Sequence, residues 1–371
     1  MKGKKKIIIL GVVVVLIAIA VGAYFFIKYQ TYEKIEIVES YDDERSDNAN
    51  YKQCLDGVLR YSRDGVALLT ESGEVVWNQP CQMGTPIVKA RGASVAVGDK
   101  GGTSIMVFQK NGLNGEIQTT RPIEKMSVSS QGVVSAILKD EEIPLVMCYD
   151  AMGNVLVEHK VSVKNVGYPT DVSLSEDGNT LLVSYLYMEG TAVASKIIYY
   201  YFGGENEGKT NYQVLEEQFR DTLIPTVSFL DKNTSLLVAD NALVFYKGTK
   251  KPKQSARVEL EKEIQSVAYS ADLVAVLLKN GEDSVYKLCV YSTTGKLLSA
   301  VDVEQKYSDM RVVDGQVILY DGQHCSIYMK NGVHKYTGNM EENIMEIFPV
   351  TGLNKYMMIN ASGFYEIRLV K

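Results

Sequence analysis

Carboxylates recur in this chain in one kind of setting, short turn-like stretches that in most cases carry a glycine. They read SRDG (Asp64), GDKGG (Asp99), KDEE (Asp140), MEG (Glu189), ADN (Asp240), KNGED (Asp283) and YDGQ (Asp321). Like charges repeated in this way can draw cations or a basic partner toward one surface. Asp beside Gly is also what a tight turn asks for, and that reading yields the same set. On either reading these turns are where contact chemistry is expected. Arg63, Asp64, Asp99, Lys100, Tyr187, Glu189 and Asp321 are the candidate binding residues.

Bond-making chemistry has no comparable signature. There is no G-x-S-x-G, no G-x-G-x-x-G and no phosphate-cradling Walker loop. Ser284 and Lys287 have the S-x-x-K spacing, but in a strand, positions three apart face opposite sides and cannot converge. His159, His324 and His334 are the only histidines and stand in separate settings without metal-ligand spacing. The acidic stretch Tyr41 to Asn50 lacks the alternating Asp ligands and closing Glu of a calcium loop, so it reads as a solvated linker. The five cysteines include no C-x-x-C. Cys148, Cys289 and Cys325 lie in apolar runs and read as buried thiols, whereas Cys54 and Cys81 could pair in an oxidising compartment. No catalytic residue, metal site or cofactor is expected, and the chain reads as a non-enzyme.

The charge balance narrows the partners. The first 30 residues hold five lysines and no acid, so residues 31 to 371 carry 34 basic against 45 acidic side chains. A phosphate-backbone binder needs the opposite balance, which excludes nucleic acid as the main ligand.

Residues 1 to 6, MKGKKK, form a basic tail, and Ile7 to Ile27 then runs 21 residues without a charge. That length crosses about 30 Å of hydrocarbon as a helix. Four lysines before it and one after it place the N-terminus in the cytoplasm and the remainder outside, as a single-pass membrane protein. Ala18-Ile19-Ala20 has the form of a signal-peptidase site, so a cleaved leader is the competing reading. Residues 28 to 50 then supply an alternating strand, Tyr32 to Ser40, and the acidic linker.

From residue 51 onward the elements that must position the turns repeat. Turn signals that introduce an apolar strand stand at Asp56-Gly57, Arg91-Gly92, Gln131-Gly132, Asp177-Gly178, Lys232-Asn233, Ala271-Asp272, Asp314-Gly315 and Thr351-Gly352, at intervals of 35 to 55 residues. Such a period fits four strands and their turns, the repeat of a propeller blade. A second turn class, including Ser72-Gly73, Asn114-Gly115, Met152-Gly153, Thr294-Gly295 and Asn331-Gly332, introduces the last strand of seven units. The eighth unit ends after three strands, and Tyr32 to Ser40 is the candidate fourth. The fold class is therefore all-β, an eight-bladed β-propeller, with seven blades as the alternative count.

A borrowed outer strand fixes geometry. It begins on the face that carries the first-to-second and third-to-fourth turns. The five residues from Lys28 to Tyr32 span at most roughly 17 Å, so that face is expected toward the membrane. The turns with the recurring carboxylates lie on the opposite, outward face. Gly203 to Thr210 and Lys247 to Lys253 (KGTKKPK) fall on the membrane side, where lysines rest on anionic headgroups at about 1 kcal/mol each or are merely solvated.

SGEVVW, ending at Trp77, resembles the outer-strand signature of pyrroloquinoline-quinone-type (PQQ-like) propeller repeats, with fainter matches at Asp150 to Leu156 and Ser292 to Leu298. The resemblance implies the fold, with Trp77 packed between neighbouring blades. The adjacent cysteines common in quinoprotein dehydrogenases are missing, which speaks against that activity. CLDGVLRYSRDGVALL (Cys54 to Leu69) and VGYPTDVSLSEDGNTLLVSY (Val166 to Tyr185), with the anchor helix and acidic spacer, resemble an uncharacterised domain-of-unknown-function family of membrane-anchored propeller proteins from Gram-positive bacteria. These features imply an extracytoplasmic, non-catalytic binding or scaffold module for a protein, peptide or cell-wall partner. The alternative is a channel-site enzyme or a sugar or peptide sensor.

Overall fold

A computed structural model describes residues 2–42, 49–140, 143–160, 166–204, 212–281 and 285–371. After one helix, Lys2–Lys28, the described elements are all strands, in eight four-stranded sheets. This is an eight-bladed β-propeller, and the count of eight read from the turn signals holds.

Each of the eight turn signals introduces the second strand of a blade, from Gly57–Tyr61 in blade 1 to Lys355–Asn360 in blade 8. The second and third strands read as unbroken apolar runs because stacked blades cover both their faces. Every residue of Val134–Leu138, Leu145–Tyr149 and Thr234–Val238 is buried. Fourth strands have a neighbour on one edge only and alternate between half-buried and exposed, as in Val75–Pro80 and Val155–Lys160.

One turn differs from its sequence reading. Asn114-Gly115 lies inside the fourth strand of blade 2, Gly112–Gln118, and the turn falls at residues 110 and 111. Gly112 takes the positive φ of 118° that the tight connection needs. Gly115 answers a different demand: a Cβ there would stand 2.0 Å from the Ala151 carbonyl oxygen of blade 3.

The chain divides into two compact units. Residues 1–40 with 307–371 form one, and 41–306 the other. The larger holds blades 1 to 6, and its core lies between adjacent blades. Leu59, Val66 and Leu68 of blade 1 pack with Val95, Val97 and Phe108 of blade 2. Trp77 stacks on Phe108 with centroids 4.9 Å apart and donates its Nε1–H to the Lys110 carbonyl at 3.1 Å. The expected blade-to-blade role of this tryptophan is therefore met. None of the five cysteines is in a disulfide, so Cys54 and Cys81 are not paired with each other, and Cys148, Cys289 and Cys325 are buried.

The smaller unit holds blades 7 and 8 and the helix. Blade 8 runs, from inner to outer strand, Glu346–Pro349, Lys355–Asn360, Gly363–Val370 and then Lys34–Asp42 from the N-terminus. The borrowed strand is thus present, two residues later than its alternation suggested. Of its apolar residues only Ile35 packs on the core, while Ile37 is 53% exposed. Tyr32 is nearly fully buried instead, its amide donating to the Lys335 carbonyl at 2.8 Å and its hydroxyl to the Ile27 carbonyl at 2.7 Å. The helix therefore enters at the end of blades 7 and 8 that carries the first-to-second turns, as the borrowed strand requires.

Candidate functional site

The inner strands of blades 1 to 6 are Asn50–Cys54, Pro86–Arg91, Ile123–Val128, Tyr168–Leu174, Thr226–Phe229 and Ile264–Tyr269. They are less apolar than the strands behind them, because one edge has no sheet partner. Their polar side chains meet at a cavity of about 910 Å³. Lys52, Lys89, Arg91, Lys125 and Lys232 line it, against three carboxylates, Asp171, Glu176 and Asp231.

Two of those carboxylates hold backbone amides. Asp171 Oδ2 accepts from Val227 N–H at 2.9 Å and ties the inner strand of blade 4 to that of blade 5. Asp231 Oδ1 accepts from Asn233 and Thr234 N–H, each at 2.7 Å, and closes its own turn. Ser173 accepts from Phe229 N–H and Ser127 from Leu174 N–H, extending the same stitching between blades. Burial raises the Asp171 carboxyl above its usual range, partly offset by the Val227 amide and by Lys89 and Lys125. Lys89 and Lys125 are exposed to the cavity.

Arg91 reaches from blade 2 to blade 5, where Nη2 donates to the Phe229 carbonyl at 2.6 Å. Burial lowers its guanidinium pKa while Tyr269, Glu176 and Asp231 oppose the shift, and guanidinium keeps its proton at neutral pH in any case. The Tyr269 ring stands on the wall, 36% exposed. With cations in excess of carboxylates, the cavity can hold an anion by charge-assisted hydrogen bonds. Among the described residues no three His, Cys, Asp or Glu side chains gather as metal ligands would.

The residues singled out from sequence lie elsewhere, all in second-to-third-strand turns or at strand ends beside them. Arg63 and Asp64 are exposed in the blade 1 turn, and their carbonyls accept the Met83 and Cys81 amides. Asp99 Oδ1 accepts from Thr85 N–H at 2.8 Å, and Lys100 N–H donates to the Thr85 carbonyl. Asp64 and Asp99 are brought together around Cys81, whose thiol is pushed up by burial and then by these two charges. Tyr187 and Glu189 share the blade 4 hairpin. Glu189 pairs with Arg220 at 3.2 Å, and Lys196 Nζ sits 5.5 Å from the Tyr187 ring centroid. Asp321 is exposed in blade 7, within the smaller unit.

Of the remaining turn carboxylates, Asp140 pairs with Arg121 at 2.6 Å, and Asp240 is exposed. Asp283 lies outside the described residues, as do Ser284 and most of the Gly203-to-Thr210 turn. The turn acids are therefore partly neutralised by arginine and partly spent on turn geometry. Sequence reasoning passed over the inner-strand lysines. Their signal was a basic residue inside each of the short segments NYKQC, PIVKAR and IEKMSV.

Solved structures share this architecture at low identity. BamB from Moraxella catarrhalis matches with a TM-score of 0.55 at 14% identity, over 90% of this chain and 99% of that one. Sqt1 from Saccharomyces cerevisiae matches with 0.55 at 12%, over 92% and 99%. Hsv2 from Kluyveromyces lactis matches with 0.52 at 8%, over 81% and 100%. These likenesses concern the fold alone. No curated protein matches the sequence. A family profile does match, over residues 28–369, from the borrowed strand's approach to the end of blade 8, and by that match the chain belongs to DUF5711, a family of unknown function.

Proposed function

We propose that this protein is a membrane-held, extracytoplasmic β-propeller of the Gram-positive cell envelope that works by binding rather than by bond-making. Its cavity takes an anionic group of a protein, peptide or wall-polymer partner. The observation that carries the reading is the gathering of Lys52, Lys89, Arg91, Lys125 and Lys232 in a chain whose charge from residue 31 onward is acidic. The anchor is the segment Leu10–Lys28, with mean hydropathy 2.8 and none of it buried. From Leu10 to Phe26 its large apolar side chains are 43% to 68% exposed, so they need lipid to leave water.

On this reading the lysine-rich tail sets the N-terminus in the cytoplasm, and the turns carrying Arg63, Asp64, Asp99, Lys100, Tyr187, Glu189 and Asp321 are a second set of contact points outside the membrane. Partner capture by crosslinking in intact membranes tests both surfaces. Lys89→Glu with Lys125→Glu is expected to abolish capture, and charge reversal at Asp99 and Glu189 to reduce it. Undiminished capture by both variants would sink the reading. A channel-site enzyme has less support: the one described lining carboxylate raised by burial, Asp171, is bound to the Val227 amide and faces lysines rather than a second acid.

A further inference from the structure

Lys335 is a cation in the wrong place for a soluble protein. It is 3% exposed, at the start of the outer strand of blade 7. Its Nζ lies 3.5 Å from Gln316 Oε1 and 5.5 Å from the Tyr356 ring centroid. Among the described residues no carboxylate pairs with it, and the charge it feels most is the like charge of Lys28. Burying an ammonium without a counter-ion costs several kcal/mol. Desolvation and Lys28 accordingly lower its pKa to about 8.

The cost has a place to be relieved. Lys335 and Lys28 line one pocket of about 410 Å³, together with Tyr24, Gln316 and Asn354, between the end of the helix and the first-to-second turns of blades 7 and 8. Lys355 also lines it but is bonded to Glu366, and Asp314 stands exposed on the rim. Asn354 adds a second unmet demand. Tyr32 gives its hydroxyl proton to the Ile27 carbonyl, so its oxygen accepts from Asn354 Nδ2 at 2.5 Å. That fixes the amide orientation and leaves Asn354 Oδ1 buried without a donor. The pocket therefore asks for an anion that also carries a hydroxyl group. It lies where the apolar helix ends, at the depth of lipid headgroups if the helix spans the bilayer.

We infer that this pocket binds the headgroup of an anionic, hydroxyl-bearing phospholipid of the phosphatidylglycerol type, its phosphate between Lys28 and Lys335 and a glycerol hydroxyl donating to Asn354. The inference rests on the helix being a membrane anchor and goes beyond the cavity of blades 1 to 6. It gives the propeller a fixed stance on the lipid surface and a preference for anionic membrane.

The test uses the full chain in nanodiscs of phosphatidylcholine alone and of phosphatidylcholine with phosphatidylglycerol. Lipid retained by the protein on release from the disc is counted by native mass spectrometry. Retained phosphatidylglycerol is expected to exceed phosphatidylcholine by about tenfold. Lys335→Met, which removes a buried charge and should fold at least as well, is expected to erase the preference, while Lys139→Met, in the exposed turn between the second and third strands of blade 3, keeps it. An equal lipid ratio in the wild-type protein, or an unchanged ratio in Lys335→Met, overturns the site but leaves the anchor standing. Failure of the wild-type chain to enter discs overturns anchor and site together. If millimolar glycerol 3-phosphate strips the retained lipid, the pocket takes soluble phosphate and the lipid assignment is wrong.

Discussion

Asp171 and Lys335 are buried charges of opposite sign, and they report different things. Asp171 is tied to a neighbouring blade through the Val227 amide. Asp171→Ala leaves that amide without an acceptor and should cost about 2 kcal/mol. Asp171→Asn keeps an acceptor oxygen in place and should cost less than half as much. Urea denaturation of the two variants at neutral pH checks the difference. Lys335 makes no comparable tie. Its folded pKa, about 8, is lower than the ordinary lysine value of 10.5. In the unfolded chain it therefore binds a proton that the folded chain has lost. In neutral detergent, stability should consequently rise with pH between about 8 and 10.5, by the linkage of protons to folding. The pH-dependent melting curve of Lys335→Met should lack that rise. At this scale Trp77 was the most legible residue, because the resemblance of SGEVVW to an outer-strand signature implied packing between blades, and within Val75–Pro80 it stacks on Phe108. Lys335 was illegible. GVHKY reads as a solvated turn-to-strand segment until helix and blade are seen to cover it.

Among the elements, the N-terminal strand carries most consequence. Lys34–Asp42 covers the edge of Gly363–Val370, whose backbone would otherwise stand open to another chain. Deleting residues 1 to 42 should convert the protein to higher-order species in light scattering, whereas deleting 1 to 27 should not. A monodisperse product from the longer deletion would show that the edge needs no cover. Alternation at Tyr32 to Ser40 and the missing fourth strand of the last unit made this pairing readable in advance. The two-residue offset was not, since Tyr32 is held by Ile27, Asn354 and Lys335 rather than by the strand ladder.

For the whole molecule, charge is divided between inside and outside. Acidic turns and an acidic overall balance coexist with a lysine-lined cavity in the 41–306 unit. An anionic ligand held there should bind less tightly as salt rises, because Lys89 and Lys125 are exposed and screened over about 8 to 10 Å at moderate ionic strength. Titration with citrate at rising sodium chloride measures the slope. Lys89→Gln with Lys125→Gln should flatten it, and a slope unchanged by that pair would place the binding elsewhere.

Repetition determined the architecture before any coordinates. Eight turn signals each had to precede a buried strand, because glycine and aspartate permit the turn and the unbroken apolar runs demand cover on both faces. Hydropathy likewise determined the helix. What only the tertiary structure decided is which charges share a space. Arg91 and Phe229 lie 138 residues apart and meet across a cavity, and Lys28 meets Lys335 at the end of a helix. No local pattern encodes such meetings, since they follow from how blades stack and where the first strand docks. Of the turn acids, conspicuous in sequence, Asp99, Asp140 and Glu189 are occupied with amides and arginines while Asp64, Asp240 and Asp321 stand exposed, and the inner-strand lysines gained their meaning from one another.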